Sequence, residues 1–218
     1  MAGIRFLIGE ILPAADPVAR FLTGLCLITN DLTFIANGGQ NGAASDRAPL
    51  SLRHLHLMSA HLREATKYLH DALQDESARA FLSGLSDEGR QRLARVESSF
   101  TPWQGSFVQS RLKPLRDAVF HYLESGPEQL GALLAAAKGI ESGVDLGAGT
   151  YYETDYAFGH EVVNQYLLRS WGTDSDVLEE TMLRVTDLFL DFAFLTHEAM
   201  SLWLDRAKEA GISIHVHQ

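Results

Sequence analysis

An all-α fold, an up-and-down bundle of long helices with one irregular Tyr- and Gly-rich loop, is what this sequence predicts, and three hydrophobic stripes predict it. Val18, Phe21, Leu25, Ile28, Leu32 and Ile35 step by threes and fours, the period that gathers apolar side chains on one helix face. Leu55, Met58, Leu62, Ala65, Leu69 and Ala72 repeat the pattern. Met182, Val185, Phe189, Phe192, Ala199 and Trp203 carry a third stripe, in a helix of about 30 residues that starts near Asp176 and is long enough to span a domain.

The signals between the stripes set the remaining elements in order. Asn37-Gly38-Gly39 is expected to stop the first helix, and a polar loop then runs to Pro49. Ser86, followed by Asp87 and Glu88, reads as the cap and acidic first turn of a further helix. Residues 101–124 form the next segment; Gly126 ends it, and Ser125, Pro127 and Glu128 open another helix. Residues 139–157 are rich in Gly and Tyr and read as a loop or small hairpin, and 161–171 as a helix. The tail 212–217 alternates apolar and polar residues, as a short strand or a frayed end would. Neither a repeat nor a convincing linker divides the chain, so 1–218 is expected to be one domain, with 1–16 and 212–218 as looser tails.

Composition narrows the function classes. An apolar content of 46% in 218 residues supplies a real core, and a formal charge of -10 opposes loose, charge-driven binding to nucleic acid or anionic lipid. Contact with RNA would have to be local. The single cysteine, Cys26, excludes an internal disulfide framework and a thiolate zinc cluster, and its place beside the first stripe suits inert packing. No uncharged apolar run approaches the roughly 20 residues of a membrane helix, and the N-terminus is a poor signal peptide, so the expected location is cytoplasmic, with no membrane partner.

The segment that carries candidate chemistry is Arg116-Asp117-Ala118-Val119-Phe120-His121-Tyr122. A helix over 112–123 places Leu112, Leu115, Val119, Tyr122 and Leu123 on one face, Arg116 at its edge, and Asp117 and His121 opposite. A carboxylate four residues before an imidazole can hydrogen-bond it and raise its pKa, which tunes a histidine for proton transfer near neutrality. The arginine, about 7.5 Å along the axis, offers a fork of donors suited to phosphate oxygens. Three Arg–His pairs have four to six intervening residues: Arg47 with His54, Arg63 with His70, and Arg116 with His121. The last combines an acid directly after the arginine with a frame that exposes the histidine opposite the apolar face.

Arg116, a polar Asp117, and His121 after four intervening residues resemble the signature of the HEPN superfamily, helical and usually dimeric domains, many of them metal-independent ribonucleases. Phe120-His121-Tyr122 also resembles a segment of uncharacterised bacterial helical proteins in which Arg-Asn or Arg-Asp precedes Phe-His-Tyr. The likeness covers about a dozen residues directly. It implies that His121 acts as general acid or base in attack of a ribose 2′-hydroxyl on the adjacent phosphate. Arg116 would stabilise the transition-state charge and Asp117 would orient the histidine. Arg111, Lys113 and Tyr122 are the expected substrate-binding neighbours. The resemblance further implies a homodimer whose sites form where two protomers meet, an RNA substrate, and a place in bacterial stress or phage defence. The alternative is a non-catalytic helical module whose partner is another protein.

Other constellations carry less. His54 and His61 share one side of their helix but stand about 10.5 Å apart, too far for one ion, and no Glu-x-x-His pair occurs. Neither a metal nor a cofactor is expected, since phosphate loops, nucleophile elbows and dinucleotide fingerprints are also absent from the sequence. Tyr151, Tyr152, Tyr156 and Phe158 would pack a loop onto the helices or stack on bases. Asp174, Asp176, Glu179, Glu180, Asp187 and Asp191, with only Arg184 among them, read as a solvated negative face.

Overall fold

The first long helix opens where Asp16 meets Pro17, a residue whose fixed φ and missing N–H suit a first helical position. One Asp16 carboxylate oxygen accepts from the amides of Val18 (2.7 Å) and Ala19 (3.1 Å), capping the helix. The computed structural model describes residues 3–41, 52–120, 135, 175–212 and 214–217. The elements are β1 (Gly3–Arg5), α1 (Ile8–Ile11), α2 (Pro17–Asn41), α3 (Leu52–Ala72), α4 (Glu76–Leu82), α5 (Asp87–Phe100), a π-helical turn (Val108–Leu112) running into α6 (Lys113–Phe120), α7 (Ser175–Glu209) and β2 (His215–His217). The described residues are all-α apart from one small ribbon, and the long helices among them pack up and down.

The three stripes form the core. Leu22, Leu25, Leu32, Leu55, Met58, Leu62, Leu69, Val185, Phe192 and Leu195 are almost completely buried in one cluster. Each such side chain contributes about 1.5–3 kcal/mol of burial. The antiparallel order follows from the cross-links. Tyr68 of α3 donates to the Phe21 carbonyl of α2 (3.0 Å), Thr29 of α2 bonds Thr196 of α7 (2.7 Å), and Glu198 of α7 accepts from the Ser86 amide at the start of α5 (2.6 Å). Helix α7, 35 residues and about 50 Å long, touches α2, α3 and α5.

Several elements depart from the sequence expectations. Helix α2 does not stop at Asn37-Gly38-Gly39 but runs on to Asn41. Glycine terminates a helix only by taking positive φ; among the described residues the glycines that do so are Gly105 and Gly211. Helix α4 is an addition, capped by Asp75, whose carboxylate accepts from the amides of Ser77 and Ala78, and anchored by Ala78, Phe81 and Leu82. Asp191, placed by sequence on a solvated acidic face, is 6% exposed, because Arg92 and Arg95 of α5 both reach its carboxylate. At the termini β1 and β2 pair antiparallel, Gly3 opposite His217 and Arg5 opposite His215, so the tail takes the strand alternative. Beneath them Ile11, Leu204 and Ala207 form a second small cluster, and the Trp203 indole donates to the Ile11 carbonyl (2.7 Å).

Within α2, 17–37 is long and apolar enough by length and composition to cross a membrane. Arg20 and Asp31 interrupt it, and Leu22, Leu25 and Leu32 pack into the bundle. The expected elements at 125–128, 139–157 and 161–171, and the aromatic residues Tyr151, Tyr152, Tyr156 and Phe158, lie outside the described residues.

Candidate anion-binding site on helices α3 and α6

The segment that bears the candidate residues starts at Ser106, whose hydroxyl accepts from the Gln109 amide (3.2 Å). The π-helical turn follows, with Val108 and Leu112 fully buried and the Lys113 amide donating to the Val108 carbonyl. Pro114 accounts for the widened turn: it offers no N–H, and its ring crowds the carbonyl one regular turn back. The helix expected over 112–123 therefore starts earlier and enters α6 through a bulge that resets which side chains share a face.

On α6 the Arg116 and Asp117 side chains are each a little over one quarter exposed. Arg116 Nη1 donates to Asp117 Oδ1 (3.1 Å), and Lys113 Nζ, one turn earlier, donates to Asp117 Oδ2 (2.6 Å). Both oxygens of the carboxylate are thus held by cations of its own helix. Burial pushes the Asp117 carboxyl up, but the hydrogen bonds and charges of Lys113 and Arg116 outweigh it and hold the group below the ordinary aspartate range. Arg111 lies partly buried in the π turn. His121 and Tyr122 lie outside the described residues, so the candidate site is described as far as Arg116, Asp117 and Lys113.

Packing of α3 against α6 adds a residue pair that the sequence reading passed over. Glu64 Oε1 stands 2.5 Å from Arg63 Nη1 and 3.5 Å from Arg116 Nε, so a single carboxylate oxygen bridges two guanidinium groups from different helices. The signal was present, since Arg63-Glu64 repeats the arginine–acid order of Arg116-Asp117. What the sequence lacked was the contact. His70, the histidine in register with Arg63, is turned to other use. It packs against Phe100 (centroids 5.7 Å) and Trp103 (5.9 Å) and hydrogen-bonds Asp71 (3.2 Å).

The arrangement is suited to holding an anion. Arg63, Lys113 and Arg116 gather around the Glu64 and Asp117 carboxylates, which concentrates basic side chains on a chain of net charge -10. The Cys26 thiol is pushed up by burial and is a poor nucleophile. Among the described residues no three His, Cys, Asp or Glu side chains are grouped to hold a metal ion. Comparison with known protein families, with curated proteins and with solved structures finds no match to this chain.

Proposed function

We propose that this chain is a HEPN-like helical domain that cleaves RNA without a metal ion, acting as a homodimer in bacterial stress or phage defence. The observation that supports it most is the half-buried Arg116–Asp117 pair on α6, tied through Glu64 to Arg63 of α3. A guanidinium held this way keeps its orientation when a phosphate arrives, so little ordering is required at binding. His121, one turn past Asp117 in sequence, is the proton-transfer group in this reading. It takes the proton of the ribose 2′-hydroxyl as the oxygen attacks phosphorus, or returns one to the leaving 5′-oxygen. Arg116 stabilises the extra charge on the phosphoryl oxygens, and Arg111, Lys113 and Tyr122 contact the substrate.

The test is cleavage of mixed cellular RNA in EDTA by wild type, His121→Ala and Arg116→Ala, each first shown to be folded. Activity in wild type and a fall of about 100-fold or more in both variants is the expected result. Equal inactivity of all three would reject the nuclease.

A second reading, a non-catalytic module with a protein partner, is favoured by one observation. Leu27 and Phe34 on α2, two turns apart, are exposed, Phe34 by 80%. Paired with inactivity in the cleavage test, loss of a captured partner on Phe34→Ser would support that module.

A further inference from the structure

Helix α7 buries one face and shows another to water. Thr181, Val185, Leu188, Phe192, Leu195 and Ala199 are buried against the bundle. Leu183 and Leu190, two turns apart on the far side, are 60% and 51% exposed. At 100° per residue they share an arc of about 80° with Glu179, Thr186, Ala193 and His197. Glu179 and His197 are exposed, and Thr186 and Ala193 are partly buried. Isolated surface leucines need no explanation, but these six positions follow one another by steps of four, three, four, three and four. That is the spacing of a coiled-coil seam, and it extends about 27 Å along a helix whose other face is already occupied.

The order of side chains along the seam selects its occupant. Read from Glu179, it runs acid, large, small, large, small, imidazole. Against a second α7 running antiparallel, with Leu190 opposite Thr186, the same steps bring Leu183 opposite Ala193 and Glu179 opposite His197. Each leucine then meets a small side chain, which lets two helices pack closely, and each carboxylate meets an imidazole N–H that can donate to it. Every such contact occurs twice about one two-fold axis, as a closed homodimer requires. A parallel copy would put Glu179 against Glu179 and leucine against leucine. Met182 and Phe189, partly buried, widen the apolar strip on one flank. On the other flank Asp187 nears its own copy, a like-charge contact that weakens the pair.

We infer that the outer face of α7 is a self-recognition surface, on which a second copy of this chain docks antiparallel through Glu179, Leu183, Thr186, Leu190, Ala193 and His197. It rests on the proposed function only for the expectation of a second copy, and it names the face that the copy uses. Neither the RNA nor the α6 residues enter it. Leu27 and Phe34, the exposed pair of α2, lie on another helix and take no part.

The experiment is sedimentation equilibrium of the full chain across micromolar concentrations, where the wild type should form a dimer of twice 24.0 kDa. Leu190→Asp should weaken that dimer about 30-fold or more, the scale of a central contact, and keep the wild-type fold because the position is exposed. Glu179→Lys should weaken it several-fold. Adding His197→Glu to the same chain should restore it, since each new ammonium then meets a carboxylate across the interface. Asp187→Asn should tighten the dimer, and Phe34→Ser should leave it unchanged. A monomeric wild type would overturn the surface and the homodimer of the proposed function together. A dimer that Leu190→Asp leaves intact or Phe34→Ser dissolves, a charge exchange that restores nothing, or Asp187→Asn without effect would overturn the surface alone. Cleavage is read separately: a chain that dimerises as described and cuts no RNA removes the nuclease and leaves this surface standing.

Discussion

Asp191 lies in a run of solvated acids, yet it is the one drawn into the protein, with Arg95 chelating it from α5 (2.7 and 2.9 Å) and Arg92 adding a third bond (3.0 Å). Arg92 is in turn seated over the Phe194 ring at 4.2 Å. Asp191→Asn removes the charge that these arginines share and should lower stability by about 1–3 kcal/mol in urea denaturation, because both guanidinium groups retain some access to water. Asp117 is the comparable residue at the candidate site, and its effect is linked to pH. Its carboxyl is held below the ordinary value of 3.8, so its contribution is fully present above that value and is lost as pH falls through the lower folded value. Wild type should therefore lose stability on acidification below 3.8 more steeply than Asp117→Asn, as followed by denaturant midpoints across the acid range. Identical acid limbs would show that Lys113 and Arg116 do not stabilise the carboxylate. The partners of Asp191 could not be read from sequence, since they lie 96 and 99 residues away, whereas those of Asp117 are its neighbours one and four residues back on the same helix.

At the scale of elements, helix pairs show what periodicity can and cannot deliver. The stripes of α2, α3 and α7 were legible because each buries a face that repeats every three or four residues, and Leu25, Leu62 and Phe192 end at the centre of the core. Ser86 was legible as a cap because its hydroxyl accepts from the Gly89 amide (3.1 Å), a local bond written in local sequence. Helix α4 was missed because seven residues hold too few apolar positions to show a period, although its Asp75 cap was there to see. The bulge at 108–112 was missed because Pro114 announces a disturbance without saying whether the helix breaks, kinks or widens. Gly24 was not singled out either, yet it sets the approach of α2 to α3. A Cβ there would run into the Tyr68 ring and hydroxyl, the group that bonds the Phe21 carbonyl. Gly24→Ala should destabilise by about 1–3 kcal/mol, measured by urea unfolding, even though alanine is intrinsically the better helix former. A stabilised variant would mean that Tyr68 has an alternative seat at no loss.

For the whole molecule, the sequence conveyed the fold class and one half of the candidate site. Arg116 and Asp117 were found by their spacing from His121, while the link from Arg63 and Glu64 to Arg116 emerged only when α3 met α6. The reason is physical: helical periodicity fixes which residues share a face, but not which two faces will meet. The proposed homodimer belongs to this scale as well. A chain of 24.0 kDa should sediment at twice that mass at micromolar concentration if the proposed site is shared between protomers, and a monomer that still cleaves RNA would place the whole site in one chain. The proposed reaction is transfer of a proton by a histidine during attack of a 2′-oxygen, with arginine and no metal stabilising the charge. The product end reports that chemistry directly, so the decisive measurement is mass spectrometry of the 3′ ends left by wild-type protein in EDTA. A 2′,3′-cyclic phosphate, absent with His121→Ala, is the predicted result. A free 3′-hydroxyl, which requires water and not the ribose to attack, would contradict it.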